Sequence, residues 1–249
     1  MATKKSRARP RRQPLSRDRV LMAALRLVDK AGVESLSMRA LAQTLGVEAM
    51  SLYKHVANKD EVLDGLIDLV VTEITVPPLG TEWRHAMRER AISARQVFLR
   101  HPWAAVLMES RLMQSPVRLH YGDSVLGLLR HGGFTVPMAY RAFLLIDSYL
   151  YGFIMQEVNW PFDEADIPQV AEAMTAQMSP ADHPHLVETM GHLMAMSVEG
   201  KFGFVYDAEF TAGLELILDS LARLRDTLGP QSSVSESATV SADVVPREN

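Results

Sequence analysis

Leu36–Lys59 reads LSMRALAQTLGVEAMSLYKHVANK and decides the fold. Ser37 can cap a helix over Met38–Leu45, and Gly46 can end it by taking the positive φ that a tight turn requires. A second short helix is expected from about Glu48 to His55. Leu41 and Leu45 give the first helix an inner face, Val47, Leu52 and Val56 do the same for the second, and Ala42 is small where two helices must cross closely. Two short helices joined at a glycine form a helix-turn-helix, whose second helix enters the DNA major groove while the first crosses the backbone. The outward residues of that second helix would be Ala49, Met50, Ser51, Tyr53, Lys54 and His55. Ala49 and Met50 suit thymine methyls, and Ser51 a base or a phosphate. Tyr53, Lys54, His55 and Lys59 carry donors suited to phosphate oxygens, and Arg39 can reach a guanine edge or a phosphate. The competing reading is an ordinary helical hairpin whose Tyr and Lys are merely solvated.

Helical spacing continues on both sides. Val20, Leu21, Ala24, Leu25, Val28 and Ala31 recur at three- and four-residue steps before Gly32. Asn58 and Glu61 form a capping box that opens a helix bearing Val62, Leu63, Leu66, Ile67 and Val70. Further helices are expected near 82–101, 103–113, 115–131, 137–159, 185–198 and 207–228, with 161–184 mostly a loop. No stretch alternates as a strand between hairpin turns, so the fold class is all-α. The expected organisation is a flexible basic arm (1–15), a three-helix helix-turn-helix domain (16–63), a helical ligand-binding and dimerisation domain (64–228) and a flexible tail (229–249).

Charge divides along the same line. Residues 1–60 hold 13 Lys/Arg against 5 Asp/Glu, and residues 61–249 hold 13 against 25, so the net charge of −4 averages a basic head and an acidic body. A basic head points to a polyanion, although eight of its cations lie in residues 1–20 and a partnerless basic tail would show the same bias. The absence of cysteine excludes disulfides and thiolate chemistry. No apolar run spans a membrane and none follows the basic N-terminus as a signal segment, so a cytoplasmic protein is expected. There is no Gly-x-Ser-x-Gly elbow and no phosphate-binding Gly-rich loop, and Pro184 breaks the helix that would align His183, His185 and His192 on a metal. Neither catalysis, a cofactor nor a metal is expected.

The run LAQTLGVEAMSLYKHVANKDEVLD, residues 41–64, strongly resembles the TetR (tetracycline repressor) family, above all through Leu52-Tyr53-Lys54-His55-Val56-Ala57-Asn58-Lys59. A weaker likeness to the tetracycline repressor's own C-terminal domain class rests on Glu82-Trp83, Phe134 after Gly132-Gly133, and Glu209–Leu218. The resemblance implies an all-helical homodimer whose heads bind double-stranded operator DNA and whose bodies bind a small inducer. It places Arg39, Ala49, Met50, Ser51, Tyr53, Lys54, His55 and Lys59 at DNA-contacting positions. Ala49 and Lys54 stand where the tetracycline repressor has glutamine and tryptophan, implying a different operator. The drug and magnesium positions fall on Thr75, Arg90, Ala94 and Met108. A thioether is a poor ligand for magnesium, so magnesium–tetracycline is not the expected inducer.

Most of the fourteen methionines lie in the body, and Met-rich surfaces adapt to varied apolar ligands, although for any single one core filling is the favoured reading. Helix placement gives pocket candidates Met87, Arg90, Met108, Arg111, Leu112, Tyr149, Phe153 and Met155. Tyr140–Gly152 and Phe210–Leu224, with a stripe of Ala212, Gly213, Leu216, Leu221 and Leu224, are the candidate dimer surface. The functional expectation is a ligand-responsive regulator, a repressor released by an inducer. The alternative is a ligand-independent regulator or an activator.

Overall fold

The computed structural model describes residues 14–111, 115–159, 167–196 and 203–228. Every regular element among them is helical: α1 (Arg17–Ala31), a 3₁₀ turn (Val33–Ser35), α2 (Met38–Leu45), α3 (Ala49–Leu52), α4 (Lys59–Thr72), α5 (Trp83–Arg100), α6 (Pro102–Ser110), α7 (Pro116–His131), α8 (Val136–Val158), α9 (Ile167–Gln177), α10 (Pro184–Met196) and α11 (Gly203–Leu228). Except for Pro14 and Leu15, the expected arm lies outside the described residues, as do the tail over 229–249 and the candidate Leu112.

The helix ends form where the side chains predict. Ser16 Oγ accepts from Arg19 N–H and Ser37 Oγ from Ala40 N–H. Asn58 Oδ1 accepts from Glu61 N–H at 2.8 Å, and Glu61 Oε2 reaches back to the amide of Ala57 at 2.6 Å. Gly46 sits at φ 66°, ψ 39°, the left-handed conformation that reverses the chain between α2 and α3.

In the head, α1, α2, α3 and α4 share one core. Leu21, Leu25 and Val28 of α1 are buried with Leu41, Leu52, Val56, Leu63 and Leu66. Gly65 lets α1 and α4 close up, because a Cβ there would lie 2.7 Å from Leu21 Cδ2. The expected domain boundary at 63/64 falls inside α4, so no linker separates head from body and this helix belongs to both.

In the body, α5, α7 and α8 pack on α4 and α6, and α11 lies along α8 and α5. Trp83 meets Phe134 edge-on at 4.8 Å, with the Arg225 guanidinium 5.3 Å above the Trp83 ring. Arg84 pairs with Glu215 and Asp219, and Arg88 pairs with Glu215, tying α5 to α11. Arg95 makes a two-point pair with Glu157 at 2.6 and 2.9 Å. No helix among the described residues is long and apolar enough to cross a membrane.

Candidate nucleic-acid interface and ligand pocket

The second helix of the head is shorter than expected. It runs only over Ala49–Leu52, and the chain then tightens, with His55 N–H donating to Leu52 O at 2.8 Å. This tight turn keeps Tyr53, Lys54 and His55 next to α3 while Leu52 and Val56 remain buried. Met50 is 74% exposed and Tyr53 46%, large apolar surfaces that a small domain ordinarily hides. Arg39 and Lys54 are exposed, whereas Ser51, His55 and Lys59 are half-buried. Among the described residues no hydrogen bond or ion pair engages the side chain of Arg39, Ser51, Tyr53, Lys54, His55 or Lys59. Ala49 is half-buried and packs partly on the core, so it presents less surface outward than its neighbours. The helix-turn-helix therefore offers exposed cationic and hydroxyl donors around one large apolar side chain.

A ladder of ion pairs ties this head to the body. Asp60, Asp64 and Asp68 recur every fourth residue and so share one face of α4. Arg111, just past α6, donates to Asp60 Oδ1 at 2.7 Å and to Asp64 Oδ1 at 3.1 Å. Arg118, in the first turn of α7, donates to Asp64 at 3.3 Å and to Asp68 at 3.1 Å. Ser115 Oγ donates to Asp68 at 2.6 Å. A second tie joins the end of α1 to the α5–α6 junction, where Asp29 Oδ1 accepts from Trp103 Nε1 at 2.8 Å and lies 2.7 Å from His101 Nδ1.

Behind the ladder lies an inner cavity of about 100 Å³ lined by Met108, Arg111, Arg118, Tyr121, Phe143, Asp147 and Tyr151. Arg90 stands behind that wall with no exposed surface. Its Nε donates to the Tyr121 hydroxyl at 2.7 Å and its Nη2 to Asp147 Oδ1 at 2.6 Å, while the rings of Tyr121 and Phe143 lie over the guanidinium at 5.2 and 5.7 Å. Burial alone would lower this guanidinium's pKa. The fields of Tyr121, Asp147 and Tyr151 and the hydrogen bond to Asp147 more than offset that, so it stays charged. Burial likewise raises the Tyr121 pKa against the opposing pull of Arg90, keeping the phenol neutral. Arg90 Nη1 is buried without a hydrogen-bond partner among the described residues. Tyr121 also lines an outer cleft of about 570 Å³, built from Val71–Leu79 residues and the opposing face of α7.

Of the pocket candidates, Met108 and Arg111 line the inner cavity and Arg90 braces two of its walls. Met87 is a fully buried core residue of α5 and does not line it. Tyr149 and Phe153 pack on Phe210 of α11, with the Tyr149 ring stacked on Phe210 at 5.5 Å. Met155 is 38% exposed and also lies off the cavity. Of the positions carried over by resemblance, Thr75 and Ala94 do not line it either. Sequence reasoning missed Arg118, Tyr121, Phe143, Asp147 and Tyr151. The available signal was the run of acids on α4, which required cationic partners from elsewhere in the chain.

Two family descriptions match the chain. "Bacterial regulatory proteins, tetR family" matches residues 20–66, and "Tetracyclin repressor-like, C-terminal domain" matches residues 76–225. The chain belongs to the TetR family. It is a DNA-binding transcriptional regulator, and the helix-turn-helix is the family's N-terminal unit. Among its TetR relatives, an HTH-type transcriptional regulator of Saccharopolyspora erythraea is 34% identical over 85% of this chain and 91% of its own length. The HTH-type transcriptional repressor DrrR1 of Streptomyces coeruleorubidus is 34% identical over 86% of this chain and 80% of its own. Among solved TetR structures, Streptomyces coelicolor ActR in complex with actinorhodin aligns with a TM-score of 0.70 at 29% identity, covering 84% of this chain and 96% of ActR.

Proposed function

We propose that this TetR-family protein acts as a two-fold dimer that holds operator DNA through the α2–α3 unit and releases it when a small molecule enters the body. The observation that carries the DNA half is the set of unengaged donors at Arg39, Ser51, Tyr53, Lys54, His55 and Lys59 around exposed Met50. Tyr53, Lys54 and Lys59 position the head on phosphates, while Met50, Ser51 and Arg39 meet base edges.

The dimer half rests on α8 and α11. Val136, Tyr140, Leu144 and Leu145 of α8 and Leu216 of α11 are exposed at 66, 58, 46, 46 and 69%. One large apolar face on two adjacent helices suits a two-fold interface. The face differs from the stripe read in the sequence. Leu221 is buried within the protomer, and Gly213 is occupied by Tyr149, whose hydroxyl would lie 2.2 Å from a Cβ there. Two heads joined this way reach half-sites about 34–36 Å apart, one turn of the duplex.

The small-molecule half is supported by the inner cavity with its arginines and tyrosines, the outer cleft that shares Tyr121, and the similarity to ActR, which is seen in complex with (S)-DNPA and with actinorhodin. A ligand-independent regulator is favoured by the modest size of the inner cavity, and opposed by a buried Arg90 nitrogen that has no acceptor among the described residues. Footprinting of the purified protein on DNA upstream of its own gene tests the proposal. A protected site with two-fold sequence symmetry is expected. Uniform partial protection along the fragment would refute sequence reading by this head.

A further inference from the structure

Arg111 and Arg118 face two ways: both line the inner cavity, and both hold the carboxylates of α4. We infer that the ligand of this cavity is a compact anion, an aromatic carboxylate or phenolate, and that it acts by exchange, taking Arg111 and Arg118 from Asp60, Asp64 and Asp68 and thereby freeing α4 and the head. This rests on the proposed reading of the protein as a ligand-released regulator and names its ligand class and the route of release.

Three features of the site support it. First, Arg118 is 95% buried and lines the cavity together with Arg111, so two guanidinium-bearing side chains border it in a water-poor setting. Charge-assisted pairs there are stronger than in water, and Arg forks match carboxylates two-point. Secondly, two of the three carboxylates that hold those arginines are wet, Asp68 being the drier one at 22% exposure. The Asp60 side chain is 76% exposed and that of Asp64 42%, so water can replace the guanidinium at each when it leaves. Exposed ion pairs hold weakly, so at Arg111 the exchange trades a weak pair with Asp60 and Asp64 for a drier one, and Arg118 follows through the Asp64 it shares. Thirdly, the rest of the wall suits an aromatic acid. Phe143 and Tyr151 supply ring faces. The neutral Tyr121 hydroxyl already accepts from Arg90 and keeps its own proton to donate. Arg90 Nη1 adds a buried donor, without an acceptor among the described residues, one side-chain layer behind. At about 100 Å³ the cavity fits a single substituted ring or the head group of a larger molecule whose remainder lies beyond Tyr121 in the outer cleft.

The exchange makes Asp64 a competitor of the ligand, and linkage fixes the consequences. Benzoate and its neutral isostere benzamide are the probes. Their binding to the full-length protein is followed by NMR titration without DNA, and operator affinity is followed by fluorescence anisotropy with and without each probe. Benzoate is expected to bind and to weaken the operator complex, and benzamide to do neither at equal concentration. Arg111→Gln loses the benzoate response. Asp64→Asn, checked for an intact melting curve, weakens operator binding without any probe and binds benzoate more tightly, each by a factor in the range of about 5–150 typical of coupled sites. Equal binding of benzoate and benzamide overturns the anion assignment. An Asp64→Asn protein with unchanged benzoate affinity overturns the exchange. A wild-type protein that binds no operator refutes the repressor reading instead, and the titration without DNA still decides whether the cavity prefers the anion.

Discussion

Asp147→Ala should be among the most damaging single truncations in the body. Arg90 has no exposed surface, and Asp147 is its one carboxylate partner among the described residues, at 2.6 Å with a side chain 13% exposed. Removing the carboxylate leaves a guanidinium that cannot lose its proton, with the Tyr121 hydroxyl as its remaining hydrogen-bond partner among the described residues. Breaking one half of a buried ion pair costs about 3–5 kcal/mol. For a chain of this size that corresponds to a fall in melting temperature of roughly 6–20 °C. The assay is urea unfolding followed by circular dichroism at one fixed protein concentration, since association contributes to apparent stability. The same experiment on Arg90→Met combined with Asp147→Leu gives the control. With both charges gone, the double variant should recover most of the loss, because apolar replacement of a whole buried pair is often neutral. An Asp147→Ala protein within about 1 kcal/mol of the parent would show that the guanidinium is not confined as described, whatever the double variant did.

Three further outcomes follow from the geometry. Gly46→Ala forces a Cβ into the left-handed region at φ 66° and should cost about 1–2 kcal/mol, read as an earlier melting transition with operator affinity falling alongside it; an unchanged melt would contradict the strained turn. Lys59→Ala should lower the slope of log affinity against log salt by about one unit, and an unaltered slope would remove Lys59 from the phosphate contacts. Glu215 is held at a pKa of about 2, below its ordinary 4.5, chiefly by its hydrogen bond from Arg88 and then by that from Arg84 against the opposing effect of burial. A depressed carboxylate stabilises the fold fully above pH 4.5 and loses that contribution as the pH falls towards 2. Arg88→Gln should therefore flatten the acid limb of the stability–pH curve over that window, and an identical limb would refute the pairing.

The head was legible because its determinants are local. The caps at Ser37 and Asn58, the reversal at Gly46 and the inward Leu41, Leu52 and Val56 all act within a few residues of where they stand. The end of α3 was misjudged because an i→i+3 turn after Leu52 leaves no sign in hydrophobic spacing. Most body helices were equally clear from their breakers, Pro102, Pro116 and Gly132-Gly133, but α9 (Ile167–Gln177) forms within the stretch 161–184 that was expected to be mostly a loop. The cavity was not. Its walls join Met108 and Arg111 to residues of α7 and α8, and the bond from Arg90 to Asp147 spans 57 positions. Methionine content misled for the same reason. Periodicity reports that Met87 is inside but not what it faces, and Met87 proves to be core while Met108 lines the cavity. The stripe on α11 failed at Leu221 because it mixed two faces: Phe210, Leu214, Leu218 and Leu221 recur at three- and four-residue steps on the buried face, whereas Leu216 stands on the exposed one, and Gly213 is covered by Tyr149 from α8.

The central claim is that the Leu36–Lys59 unit reads a DNA sequence. The most direct test is fluorescence anisotropy of the purified protein on DNA from upstream of its own gene, at two salt concentrations with excess competitor DNA, beside an Arg39→Ala variant of equal melting temperature. Tight binding that survives competitor is expected for the parent, and binding weakened at both salt concentrations for Arg39→Ala. Weak parent binding that competitor and salt abolish, with Arg39→Ala indistinguishable from it, would contradict the account.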